Sequence, residues 1–165
     1  MKFESLHDLY LSELRDLYHA EKQILKALPK VIENTNSPEL QTALSNHLEE
    51  TKGHVTRLEQ VFRLHNEEPK ADTCDGMKGI LSEGEDILDH DENPAVRDAG
   101  IVAACQKVEH YEMSAYGSVR TWAEQMGHTQ AAQILQQTLE EEKQADKKLT
   151  QIGEQLKTES VSRAR

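Results

Sequence analysis

Apolar residues recur every three or four positions along most of this chain, with polar segments breaking the pattern. Between residues 5 and 32, Leu6, Leu9, Leu14, Leu17, Tyr18, Ile24, Leu25 and Leu28 share one face of a 3.6-residue helix. Asn34, Thr35 and Asn36 interrupt it, and Ser37 caps a second helix with Pro38 at its first position. That helix runs to residue 64, with Leu40, Leu44, Leu48, Val55, Leu58, Val61 and Phe62 on its buried face. Residues 66–76 form a polar loop, and a short helix follows over 77–88. Asp91, Glu92, Asn93 and Pro94 end it and begin a third long helix over 94–125, with Asn93 as the cap. A tight connection at 126–129 leads to a fourth long helix over 130–156. The expected layout is one domain over 1–157 and a frayed tail over 158–165.

Connection lengths give the topology. The first and second long helices, and the third and fourth, are joined by short loops and should form antiparallel hairpins. The link between the hairpins is long and carries the short helix. Two hairpins and one long crossover make an all-α, ferritin-like four-helix bundle. A weak internal repeat agrees. His19-Ala20-Glu21 matches His110-Tyr111-Glu112 at an offset of 112 − 21 = 91, and Leu48-Glu49-Glu50 matches Leu139-Glu140-Glu141 at 139 − 48 = 91.

The stripes contain residues that do not belong in hydrocarbon. Glu21 lies among Leu17, Tyr18, Ile24 and Leu28. Glu109 and Glu112 share the third long helix's stripe with Ile101, Cys105, Val108, Tyr116 and Val119. Glu142 shares the fourth's with Leu135, Thr138, Ala145 and Leu149, with Asp146 adjoining. Glutamate is rarely buried unless its charge is compensated. Acids from separate helices meeting inside a bundle point to a metal pair, since two divalent cations neutralise four carboxylates. On the second helix Glu50 and His54 are one turn apart and can face one cation. His47 and His54 each suit a hydrogen-bonded core position as well as a ligand position. Two-metal bundles use Glu-x-x-His on two helices; here Thr51 stands three residues before His54, and Ala145 three after Glu142. The repeat favours Glu141 as the inward acid of its helix and the apolar stripe favours Glu142. The candidate metal ligands are Glu21, Glu50, His54, Glu109, Glu112, Glu142 and Asp146. Tyr18 and Tyr116 are placed to hydrogen-bond them. Carboxylates with imidazole suit two iron ions, with Mn or Zn as alternatives.

Composition narrows the classes. The chain has 165 residues, a net charge of −11, and only 8 glycines and 4 prolines. The acidic balance argues against nucleic acid as a partner. No apolar run reaches membrane-spanning length, and the N-terminal segment lacks the uninterrupted apolar stretch of a signal peptide, so the expected setting is the cytoplasm. Cys74 and Cys105 do not make a disulfide framework; Cys105 reads as a small core residue, and Cys74 lies in a loop where nothing nearby in sequence lowers its thiol pKa. His7, His65, His90 and His128 read as surface or loop residues. There is no glycine-rich phosphate loop and no nucleophile elbow.

The segments Tyr18-His19-Ala20-Glu21-Lys22-Gln23, His47-Leu48-Glu49-Glu50-Thr51, Lys107-Val108-Glu109-His110-Tyr111-Glu112 and Leu139-Glu140-Glu141-Glu142-Lys143 resemble the YciF/YciE family of ferritin-like bacterial stress proteins. The resemblance spans nearly the whole chain. It implies a ferritin-like bundle with one additional short helix, a homodimer, and a role in general or osmotic stress. Two functional expectations follow. One is a stress-response protein with a carboxylate-bridged dimetal site that reduces oxygen or peroxide. The other is a non-enzymatic dimeric scaffold or adaptor on the same fold. The absence of a further helix beyond the bundle favours a dimer over a storage cage.

Overall fold

In the computed structural model, residues 3–89 and 93–162 are described, with side chains described as far as residue 156. Five helices follow in order: α1 (Leu6–Asn34), α2 (Pro38–Leu64), α3 (Asp75–Leu88), α4 (Pro94–Gln125) and α5 (Thr129–Ser162). Among the described residues there is no strand, as the helical periodicity predicts. Among the described residues no helix is long and apolar enough to cross a membrane.

The expected caps Ser37 and Asn93 form, and Ser5 caps the first helix as well. Ser5, Ser37 and Asn93 accept from the backbone N–H groups of Asp8, Leu40, and Ala95 with Val96, respectively. These bonds satisfy donors that a helix start leaves unpaired. Two boundaries differ from the periodic reading. The short helix begins at Asp75, because Cys74 caps it by accepting from Met77 N. The last helix continues to Ser162, six residues beyond the apolar stripe; residues 163–165 of the expected tail, and His90, lie outside the described residues.

Chain direction is set at the two ends of the bundle. At one end, the buried Asp98 near the start of α4 accepts from the backbone N–H groups of Asn36 (2.9 Å) and Ser37 (2.6 Å) in the α1–α2 loop. At the other, the start of α1, the end of α2 and the α4–α5 turn meet through His7, His65 and His128. So α2 and α4 run against α1 and α5. Helix α1 packs on α2 and α4, and α5 packs on the same two. The crossover helix α3 lies against α4 and α1. This is the ferritin-like arrangement.

The core is split in two. One apolar cluster includes Tyr10, Leu14, Leu17, Leu58, Phe62, Tyr116, Val119 and Leu135. The other includes Ile24, Leu28, Leu40, Leu44, Met77, Ile101, Leu149 and Ile152. Along every long helix the boundary between the clusters falls at a polar residue: Glu21 on α1, His47 to His54 on α2, Glu109 and Glu112 on α4, Glu142 on α5. A polar layer therefore crosses the middle of the bundle.

Candidate metal centre

Helical spacing turns each member of this layer inward. Glu21 lies between Leu17 and Ile24, which share its face, and Glu112 lies between Val108 and Tyr116. Glu21, His54, Glu112 and Glu142 are fully buried, and Glu109 and His47 nearly so. The ligand atoms of Glu21, His54 and Glu142 lie within 4.8 Å of one another, as do those of His47, Glu109, Glu112 and Glu142. Glu142 belongs to both groups. Each group could hold a cation, and the two groups share the Glu142 carboxylate.

Distances support this division. His54 Nδ1 is 2.8 Å from Glu142 Oε1 and 3.3 Å from Glu21 Oε1. His47 Nε2 is 3.4 Å from Glu109 Oε1. Yet the layer does not satisfy its own polar atoms. Among the described residues, both oxygens of Glu112 and of Glu142, one each of Glu21 and Glu109, both nitrogens of His47 and Nδ1 of His54 have no hydrogen-bond partner. The close His54–Glu142 approach is thus a contact of atoms aimed at common space rather than an aligned hydrogen bond. Orphaned buried carboxylates cost several kcal/mol each in order of magnitude. Cations coordinated by these atoms would remove that cost, so the donor set fits a metal pair on the geometry of this molecule.

Electrostatics point the same way. Burial, then the charges of Glu142 and Glu21, push Glu112 well above the usual carboxylate range. Burial and Glu142 do the same to Glu109. Burial opposes charging of His54, but Glu142 and Glu21 outweigh it and raise its pKa to about 10. Glu142 is raised by burial and pulled down more strongly by His54 and Glu109, to about 2. A site of four acids and two imidazoles contains too little positive charge of its own. Two divalent cations would supply the missing charge.

Neighbouring side chains hold these donors in place. Tyr116 donates to Glu21 Oε1 at 2.5 Å, leaving Oε2 free. Glu141 Oε2 lies 2.9 Å from His54 Nε2 and also takes a charge-assisted bond from Arg57, whose Nε donates to Thr138. With Nε2 so engaged, Nδ1 of His54 faces Glu21 and Glu142. Tyr18, the other tyrosine placed beside the acids by sequence, donates instead to Glu59.

Of the seven ligand candidates read from sequence, Glu21, His54, Glu109, Glu112 and Glu142 come together. Glu50 stands on the rim, its side chain 45% exposed and 3.7 Å from His47 Nδ1. Asp146 lies outside the cluster, bonded to Gln106 and 3.2 Å from His110 Nε2. Glu142 turns in, while Glu141 stays 36% exposed beside Arg57. His47, which the sequence leaves open between core and ligand, joins the second group. Its signal was a place on the stripe of Leu40, Leu44, His54 and Leu58. Thr51 donates its hydroxyl to the His47 carbonyl at 2.8 Å. The clustered donors are therefore His47 with His54 on α2 and Glu109-x-x-Glu112 on α4, a pattern that differs from paired Glu-x-x-His motifs. A groove between α2 and α5, lined in part by Ala43, Glu50 and Ala145, reaches His47 and Glu109 from solvent.

Comparison with known proteins places the chain. The family model described as "Domain of unknown function (DUF892)" matches residues 5–162. Protein YciF of Escherichia coli (strain K12) is 42% identical over 154 residues, covering 93% of this chain and 93% of that protein. The crystal structure of the E. coli stress protein YciF superposes with a TM-score of 0.91 at 40% identity, covering 94% of this chain and 99% of that one. A protein from Xanthomonas campestris shares the fold at a TM-score of 0.74 and 20% identity, covering 96% and 97%.

Proposed function

The chain belongs to the DUF892 family and is a YciF-like protein, and from that premise we propose that it is a stress-response protein with a dimetal centre in its polar layer. The observation that carries the reading is the set of buried, unpartnered donor atoms on Glu21, His47, His54, Glu109, Glu112 and Glu142. Glu21 and His54 would serve one cation, and His47, Glu109 and Glu112 the other, with Glu142 between them. Iron is the first candidate, with Mn or Zn as alternatives. A reduced iron pair would supply two electrons for the reduction of peroxide or oxygen. The chain's own part is to exclude water with the apolar clusters above and below, to orient His54 through Glu141 and Arg57, and to hold a proton at Tyr116 Oη beside Glu21. Glu50, on the rim, marks the solvent end of the groove. The stress role follows the description of the E. coli relative. A homodimer in the cytoplasm completes the reading.

Anaerobic loading with Fe(II) tests it. We expect two equivalents per chain, then oxygen or peroxide consumption with a new near-ultraviolet absorbance on exposure to oxidant. A Glu21→Ala, Glu112→Ala double variant should lose both. Two bound equivalents without oxidant consumption would leave the centre and remove the oxidase activity. Metal content unchanged in the double variant would remove the centre itself and favour the scaffold.

A further inference from the structure

Three histidines outside the polar layer meet at the end of the bundle where α1 starts, α2 ends and α4 turns into α5. Sequence places His7, His65 and His128 as unrelated surface or loop residues. The fold brings their ring centroids to 4.6 Å (His65–His128), 5.9 Å (His7–His65) and 6.1 Å (His7–His128). The backbone beneath two of them is fixed. His65 is the C-cap of α2, its N–H bonded to Phe62 O at 3.0 Å. His128 donates to Ala123 O at 2.8 Å and accepts from Ala132 N at 3.0 Å. Behind them Tyr10, fully buried, sets its hydroxyl 3.1 Å from His65 Nε2. The nearby acid Glu67 is engaged by Arg15 at 3.1 Å.

We infer that His7, His65 and His128 form a second metal site, a three-imidazole site for a zinc-type divalent cation at the tip of the bundle. Three histidines with a fourth position open to solvent are a stable ligand set for zinc. Zinc–nitrogen bonds of about 2.0–2.1 Å hold three rings around one ion within a few ångströms of each other. Coordination requires the exposed His7 side chain to rotate toward His65 and His128. With the proton of His65 on Nε2, the Tyr10 oxygen accepts it and Nδ1 keeps its lone pair for the cation, the usual outer partner of a ligating histidine. The all-nitrogen donor set selects zinc, copper or nickel over manganese or magnesium, whereas the interior layer is rich in carboxylate. The two sites are separated by the apolar cluster around Leu14 and Phe62 and do not depend on each other.

The test uses full-length protein carrying Glu21→Gln and Glu112→Gln, so that the interior layer is impaired independently. Zinc alone is titrated and histidine ring signals are followed by long-range proton–nitrogen NMR, with calorimetry for affinity. We expect the signals of His7, His65 and His128 to move together and saturate at one equivalent. His7→Ala, at an exposed position that should not disturb folding, should weaken zinc about tenfold or more. Ring signals unmoved by zinc, an affinity weaker than about 1 mM, or an affinity unchanged in His7→Ala would each overturn the site. None of these outcomes bears on iron loading of the protein with its interior glutamates intact.

Discussion

Glu112 shows how a single residue can be a burden in one state and an asset in another. Both its oxygens are buried without partners, and burial with the charges of Glu142 and Glu21 raises its pKa. Replacing buried ionic groups by well-packed apolar side chains of similar size is often neutral or stabilising, by up to about 4 kcal/mol. Glu112→Met should therefore raise the melting temperature of metal-free protein in chelator, while reducing the stabilisation gained from added Mn(II). Calorimetry of both proteins with and without metal reads the two signs separately. A variant less stable than wild type in chelator would mean that something other than a cation holds this carboxylate. At this scale the sequence was partly legible. Glu21 and Glu112 sit in the centre of clean apolar stripes, so their inward direction could be read directly. Glu141 and Glu142 could not be ranked, because the choice depends on Arg57 and His54 from another helix. Glu50 and His47 share a face one turn apart, and only the packing of α4 and α5 across α2 decides that His47 is covered and Glu50 is not.

The helices were visible through periodicity and caps: Ser37-Pro38 and Asn93-Pro94 state their own boundaries. The start of α3 was hidden because cysteine is not a customary cap. Cys74 is fully buried, and its Sγ lies 3.0 Å from the Tyr111 hydroxyl, which donates to Asp16. Its N–H donates to His19 Nδ1, and its carbonyl accepts from Gln23. Burial pushes the thiol pKa up, in keeping with a sequence that offers nothing to lower it, and Cys74 serves as a structural joint. Farther along, α3 depends on a close approach to α4 at Gly100. A Cβ there would meet Ile87 Cγ2 at 2.7 Å, and that methyl belongs to a β-branched side chain with little rotamer freedom. Gly100→Ala should push α3 away from α4, with the gain in helix propensity outweighed by an overpacking cost of about 1–3 kcal/mol. Hydrogen exchange should show faster opening of α3 than of α1 or α5. Uniform protection across all the helices would show that α3 accommodates the methyl group.

At the scale of the whole molecule, the split core makes stability depend on protons and, if the proposed centre is filled, on metal as well. Glu109 and Glu112 have folded pKa values above their unfolded ones. From about pH 4.5 upward the folded state therefore binds more protons than the unfolded state, and stability falls as pH rises. His54, at about 10 when folded against 6.5 unfolded, adds stability that is complete below 6.5 and is lost as pH rises through 10. Glu142, at about 2, contributes fully above 4.5 and loses its contribution only as pH falls through 2. Across pH 6 to 8.5 the first three act in one direction and the fourth is constant. Metal-free protein should melt at a lower temperature at pH 8.5 than at pH 6. Metal binding at the proposed centre would compete with the same protons and strengthen as they leave. A cation at a hundred times its dissociation constant adds about 2.7 kcal/mol per site, so excess Mn(II) should shrink or reverse the decline. Melting curves at the two pH values, in chelator and in Mn(II), separate the cases. A metal-free melting temperature that rises with pH over this range would mean that the buried acids are already compensated by the protein itself, and the polar layer would then be a structural network rather than a cation site.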